Sequence, residues 1–192
     1  PYFDDFTEDK KFHRVMYRPA FAVQARELTT QQSILQNQIE KLGDSLYKHG
    51  AMVIPGEVTY DLNHFSIKLT SFTDGETLTS SAATGETAVV SSSHTGCAAF
   101  IDAGTYYING FFVEVDSQSL ILDKYTNTPD YRVGLTVTEN FITSTDDTSL
   151  LDNATGSSNA NATGAHRFKI TLTLAKLSLT STADSSFVET FR

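Results

Sequence analysis

The five histidines, His13, His49, His64, His94 and His166, form no His-x-His or His-Glu-x-x-His pair. Their spacing therefore offers no transition-metal site, and each reads as a structural residue. The densest oxygen cluster is Asp146, Asp147, Asp152 and Asn153, residue types that hold Ca2+. It lacks the central glycine and terminal glutamate of a twelve-residue calcium loop, so it reads as a solvated loop. Asn153-Ala-Thr155 and Asn161-Ala-Thr163 match the glycosylation triplet. That triplet matters only on a secretory route, and the opening residues show no apolar signal core. Cys97, the single cysteine, stands beside Ala98 and Ala99 and reads as a buried structural thiol without an intrachain disulfide partner. No glycine-rich phosphate loop, nucleophile elbow or paired-carboxylate motif has a supporting context. The expectation is a chain with no catalytic residue, no metal and no cofactor, hence not an enzyme.

At 192 residues the chain can bury a real core, as one large β domain or as a domain with an appendage. Residues 1 to 50 hold seven Lys or Arg and seven Asp or Glu, so the whole net charge of −9 falls on the remainder. Binding phosphates requires a clustered basic surface, and this distribution disfavours nucleic acid as a partner. No apolar stretch approaches the roughly 20 residues needed to cross a membrane.

The element that positions everything else is the stretch 25–46. Ala25, Leu28, Gln32, Leu35, Ile39, Leu42 and Leu46 recur at alternating steps of three and four, a seam of period 3.5 along one helical face. With Ala25, Gln32, Ile39 and Leu46 at a and the three leucines between them at d, positions e and g hold Thr29, Gln36, Gly43, Gln24, Gln31, Gln38 and Ser45. None is charged, which suggests a helix enclosed by neighbouring chains or by its own domain. An amphipathic helix covering its own sheet satisfies the pattern equally. Thr29 and Gln32 have the form of a capping box, and Lys48, His49 and Gly50 suit a carboxyl end, which predicts a helix proper from about Thr30 to His49. Leu28, Gln32, Leu35, Ile39, Leu42 and Leu46 are the expected oligomer interface.

Before the helix, residues 1–22 scatter Tyr2, Phe3, Phe6, Phe12, Tyr17 and Phe21 among charges with no sustained period. Six rings make a poor free tail, and the segment reads as an extended arm that docks on its own domain or a neighbour's. Residues 23–50 form the attachment helix. Residues 51–192 alternate like strands, giving a mainly β fold with one long α-helix: arm and helix, then an antiparallel β-sandwich-like domain. The expected strands are 51–54, 57–61, 64–72, 96–101, 119–123, 131–138 and 165–179. Thr73 to Thr95 reads as loops with one or two short edge strands. Thr105 to Val115 reads as a hairpin turning on Asn109-Gly110, since a type I′ turn needs positive φ at both residues. Residues 144–164 form a long loop whose apolar anchors, Leu150 and Leu151, are expected to pin it to a neighbouring surface. Strand character persists to the last residues, which suggests a part of a longer polypeptide with further domains.

Several stretches resemble one family. Phe21-Ala-Val-Gln-Ala-Arg-Glu-Leu-Thr29, Ile34-Leu-Gln-Asn-Gln-Ile-Glu40 and Gly50-Ala-Met-Val-Ile-Pro-Gly56 resemble the amino-terminal region of large structural proteins of tailed phages, notably those infecting cyanobacteria. Tyr131-Arg-Val-Gly-Leu135, Leu150-Leu-Asp-Asn153, Gly156-Ser-Ser-Asn159 and Gly164-Ala-His-Arg-Phe-Lys169 continue the likeness. The resemblance implies a virion protein of the tail or baseplate, the attachment part of a longer fibre-like or wedge-like subunit; together with the uncharged e and g positions and the aromatic arm, the expectation is a homo-oligomer with a trimer favoured, folded in the host cytoplasm and partnered by other tail proteins. It carries over no enzymatic residues. Two other functions stay open: a receptor- or glycan-binding module, for which Tyr106, Tyr107, Phe111 and Phe112 would have to form an exposed platform, and an envelope-degrading hydrolase, which needs two carboxylates facing across a cleft.

Overall fold

The computed structural model describes residues 2–69 and 90–191; for 65–69, 90–94 and 191 only the backbone is considered. Among the described residues there is one α-helix, α1 (Ala25–Leu46), and nine strands: β1 (Met52–Ile54), β2 (Val58–Leu69), β3 (Val90–Ile101), β4 (Gly104–Ile108), β5 (Phe111–Val115), β6 (Gln118–Asp123), β7 (Tyr131–Ile142), β8 (Arg167–Ser178) and β9 (Phe187–Phe191). The fold is mainly β, with three antiparallel sheets and a single long helix near the amino terminus, as the patterning led us to expect. The chain divides into two compact units, Pro1–Pro55 with Gly104–Val115, and Gly56–Ala103 with Asp116–Arg192.

The first unit is the arm, α1 and the sheet β1-β4-β5. Asn109 (φ 49°) and Gly110 (φ 83°) turn β4 directly into β5, pairing Ile108 with Phe111 and Tyr107 with Phe112. Both turn residues are left-handed, so the Asn-Gly pair performs the I′ turn that its sequence predicts. The helix begins earlier than expected. Gln24 is the extended cap residue, its N–H donating to the Glu27 carboxylate at 2.8 Å, while the Thr29 hydroxyl donates back to the Ala25 carbonyl at 3.1 Å inside the first turns. Glu27 thus completes the end that Thr29 and Gln32 had been expected to cap. The helix also stops earlier, at Leu46 rather than His49, because Tyr47 leaves helical geometry to place its ring 5.9 Å from Phe112 and 6.1 Å from Tyr107. Gly50 takes its left-handed φ of 83°, and its N–H donates to the Tyr107 carbonyl at 2.8 Å, feeding β1 into the sheet.

The second unit holds the sheets β2-β3-β6 and β8-β7-β9. Its core comes from Cys97, Ala98, Ala99 and Ile101 on β3, Leu122 on β6, Val133 and Leu135 on β7, Leu172 and Leu174 on β8, and Phe187 and Val188 on β9, with strict alternation on β8. Cys97 is fully buried, as its small neighbours implied, and burial of the thiol raises its pKa. Where two strands were expected over 57–72, β2 runs through Asp61 to His64 with a bulge, because it pairs with β3 on both sides of the irregularity. Residues 90–95, expected in a loop segment, form the start of β3; ladder bonds are made by backbone, so serines and threonines serve there as well as apolar residues. The expected loops over 73–89 lie outside the described residues.

Two polar side chains join β6 to β8. The Gln118 amide acts like an extra peptide unit, donating to the Leu172 carbonyl at 2.9 Å and accepting from the Leu174 N–H at 2.7 Å. Lys176 donates to the Leu122 carbonyl. On the other flank Arg132 reaches Asp184 at 2.7 Å, Glu189 at 2.5 Å and the Ser181 carbonyl at 2.9 Å, tying β9 and the chain before it to β7. A guanidinium forks to several acceptors at once, which suits this pinning task.

Candidate assembly surface

The first unit uses three faces of α1 differently. One face seats the β4–β5 hairpin. Gln36 donates to the Gly110 carbonyl at 2.9 Å, and the Tyr107 hydroxyl lies 2.8 Å from the Asp44 carboxylate and 2.9 Å from the Glu40 carbonyl. The Tyr107 ring rests against Gly43, where any Cβ would sit 2.4 Å from Cε2. Burial first, then the hydrogen bond to Asp44 and the charges of Asp44 and Glu40, push the Tyr107 pKa up to about 12. Gln36 and Gly43 are e positions, so their lack of charge is explained within the unit.

A second face carries the arm, held by polar groups. Asp4 accepts from Thr30 at 3.1 Å, from Ser33 and from the Phe6 N–H at 2.9 Å; Glu8 accepts from Asn37 at 2.5 Å and pairs with Lys41 at 3.2 Å. Arg26 pairs with Asp5 at 3.3 Å, and the Tyr17 hydroxyl donates to Gln31 at 2.7 Å. Burial opposes ionisation of Asp4, but the bonds from Ser33, Phe6 N–H and Thr30 outweigh it and hold its pKa below the usual carboxylate range. Asn37 and then Lys41 do the same for Glu8. Of the arm's six rings only Phe6 is half-buried; Tyr2, Phe3, Phe12, Tyr17 and Phe21 are 42 to 76% exposed. The arm thus docks largely through Asp4, Asp5 and Glu8, with most of its ring surface outward.

The third face is the seam. Leu28, Leu35, Ile39, Leu42 and Leu46 are 44 to 65% exposed, with Gln32 exposed among them, while the apolar residue that α1 does bury is Ile34, outside the seam. Sequence reasoning located the seam but missed the hairpin face. The available signal was Gly43, a costly residue in a helix interior unless something must approach it closely.

The remaining candidates behave differently. The connection 143–166 folds on itself: Thr148–Leu150 is a 3-10 turn, Leu151 bridges Thr163, and the Asp152 N–H donates to the Ala162 carbonyl at 2.9 Å. Its carboxylates serve its own backbone. Asp146 accepts from the Thr143 N–H and hydroxyl at 2.9 and 2.7 Å, and Asp147 from the Ser149 N–H at 2.9 Å, which lowers both pKa values. Leu150 and Leu151 are half-buried. Among the described residues no cluster of three or more His, Cys, Asp or Glu could hold a metal. Tyr106 and Tyr107 are buried, Phe111 half-buried and Phe112 exposed, so these four rings form no common platform.

No curated protein and no solved structure matches the chain significantly. A family described as a domain of unknown function (DUF4815) matches residues 59–190, from β2 into β9 and more than two thirds of the chain, and it is to this family that the chain belongs.

Proposed function

We propose that the chain is a structural assembly protein of a phage tail or baseplate, joined to its neighbours through the arm and helix of its first unit. The observation that supports this most is the concentration of exposed apolar side chains there: five arm rings and five seam residues. An apolar display of this size on one small unit is the usual mark of a protein interface. The polar lining of the arm adds to it, because contacts such as those of Asp4, Asp5 and Glu8 hold the arm on its own helix while most of its ring surface stays exposed. The tail setting rests on the resemblance of segments 21–29, 34–40 and 50–56 to structural proteins of tailed phages. Removing residues 2–22 tests the reading. The β-sheet circular dichroism should be retained while incorporation into tails is lost; normal incorporation of the truncated chain would overturn it.

A further inference from the structure

The seam of α1 needs an occupant, and we infer that it is the same helix of further copies of this chain, parallel and in register, with Gln32 facing Gln32. The inference rests on the proposal that the first unit is the assembly element, and it names the partner.

Four observations converge. First, the other two faces of α1 are occupied by the hairpin and the arm, so Leu28, Leu35, Ile39, Leu42 and Leu46 form a narrow ridge between covered flanks. Second, the ridge keeps a 3.5-residue period over 22 residues. A straight helix has 3.6 residues per turn, so such a line stays on one contact only when the helix winds around another helix.

Third, every charged residue of α1, Arg26, Glu27, Glu40, Lys41 and Asp44, lies at b, c or f. The a, d, e and g positions hold none. Residues 1–50 are balanced in charge within a chain of net −9, so the seam is where two acidic copies meet without like charges in contact.

Fourth, Gln32 selects the orientation. Parallel copies in register put amide against amide, and each carboxamide has both donors and an acceptor to offer the other. An antiparallel pairing that covers the same seam sets Gln32 against Leu42 and Leu28 against Leu46, leaving the amide facing hydrocarbon. A buried polar group without a partner is costly, and a single polar layer at an a position is a known way to fix register.

The test uses the full chain. Its solution mass at tens of micromolar should be a multiple of 21.1 kDa. Leu35→Asp with Leu42→Asp should reduce it to one chain while keeping the helical signal at 222 nm, since both leucines are exposed in the single chain. A Leu28→Cys variant, oxidised under native conditions, should give a disulfide-linked pair on a non-reducing gel; Cys97 is fully buried and stays out of the reaction. A single-chain mass for the unaltered protein, or an unchanged mass for the Asp variant, overturns self-association. Linkage only when Leu28→Cys is mixed with Leu46→Cys overturns the parallel arrangement. The truncation of residues 2–22 leaves the seam intact, so failure of the tail reading and failure of this one are separately visible.

Discussion

Gly43→Ala tests the packing on which the exposed seam depends. In an isolated helix the substitution should stabilise by about 1 kcal/mol, because glycine is that much worse than alanine in a helix interior. Here the new methyl would lie 2.4, 2.6 and 2.7 Å from Cε2, Cζ and the hydroxyl oxygen of Tyr107. Carbon atoms in contact prefer roughly 3.5–4 Å, so the ring must retreat by more than about 1 Å. It has little room: Tyr107 is 1% exposed, with the Phe112 ring tilted against it at 5.3 Å. Overpacking of this kind costs about 1–3 kcal/mol, and moving the hydroxyl off Asp44 and Glu40 adds about 1.5 kcal/mol. After subtracting the helix gain, Gly43→Ala should destabilise by about 1.5–3.5 kcal/mol, which for a unit as small as the first lowers the melting temperature by roughly 6–28 °C. The chain has no tryptophan, so the assay is thermal unfolding followed by tyrosine near-ultraviolet and 222 nm circular dichroism. In a Tyr107→Ala background the same change should reverse sign and stabilise, which a double-mutant cycle reads directly. A Gly43→Ala protein as stable as the parent would refute the reasoning. The hairpin would then not be seated on this face, and the leucine seam would lose its claim to be the one left over.

Three further outcomes follow from the geometry. Arg132→Ala should cost about 2 kcal/mol in chemical denaturation, since it strands Asp184 and Glu189, discounted because both acids are partly exposed. Acidification should release the arm: with the Asp4 pKa depressed by docking, the docked state binds fewer protons, so its advantage is complete above the usual carboxylate value and disappears as pH falls through the lowered one. An NMR titration of the Thr30 and Ser33 amides would show this transition, and Asp4→Asn should weaken it to the part that Glu8 carries through Asn37 and Lys41. In the 143–166 connection, Leu150→Ser with Leu151→Ser should weaken local order measured by hydrogen exchange, whereas Asp146→Asn with Asp147→Asn should leave that exchange nearly unchanged, because an asparagine oxygen still accepts from Thr143 and Ser149.

Much of this protein is determined locally and was legible in its residues. The Asn109-Gly110 turn follows from which residues tolerate positive φ, and the strands around Val133, Leu135, Leu172 and Leu174 follow from period-two alternation that buries one face. The seam of α1 was equally legible, since heptad spacing is a property of the sequence alone. What covers each face of that helix was decided only in three dimensions. Tyr107, 64 positions beyond Gly43 in the chain, claims the flank that uncharged e residues had left ambiguous, and Asp4 and Glu8 carry the arm where six rings seemed the obvious anchors. The helix end moved for the same reason: Tyr47 gives up a helical position for two ring contacts in the hairpin. Local propensity is worth tenths of a kcal/mol per residue, while one close-packed tertiary contact is worth several times that, so boundaries and partners yield to packing where turns and periods do not.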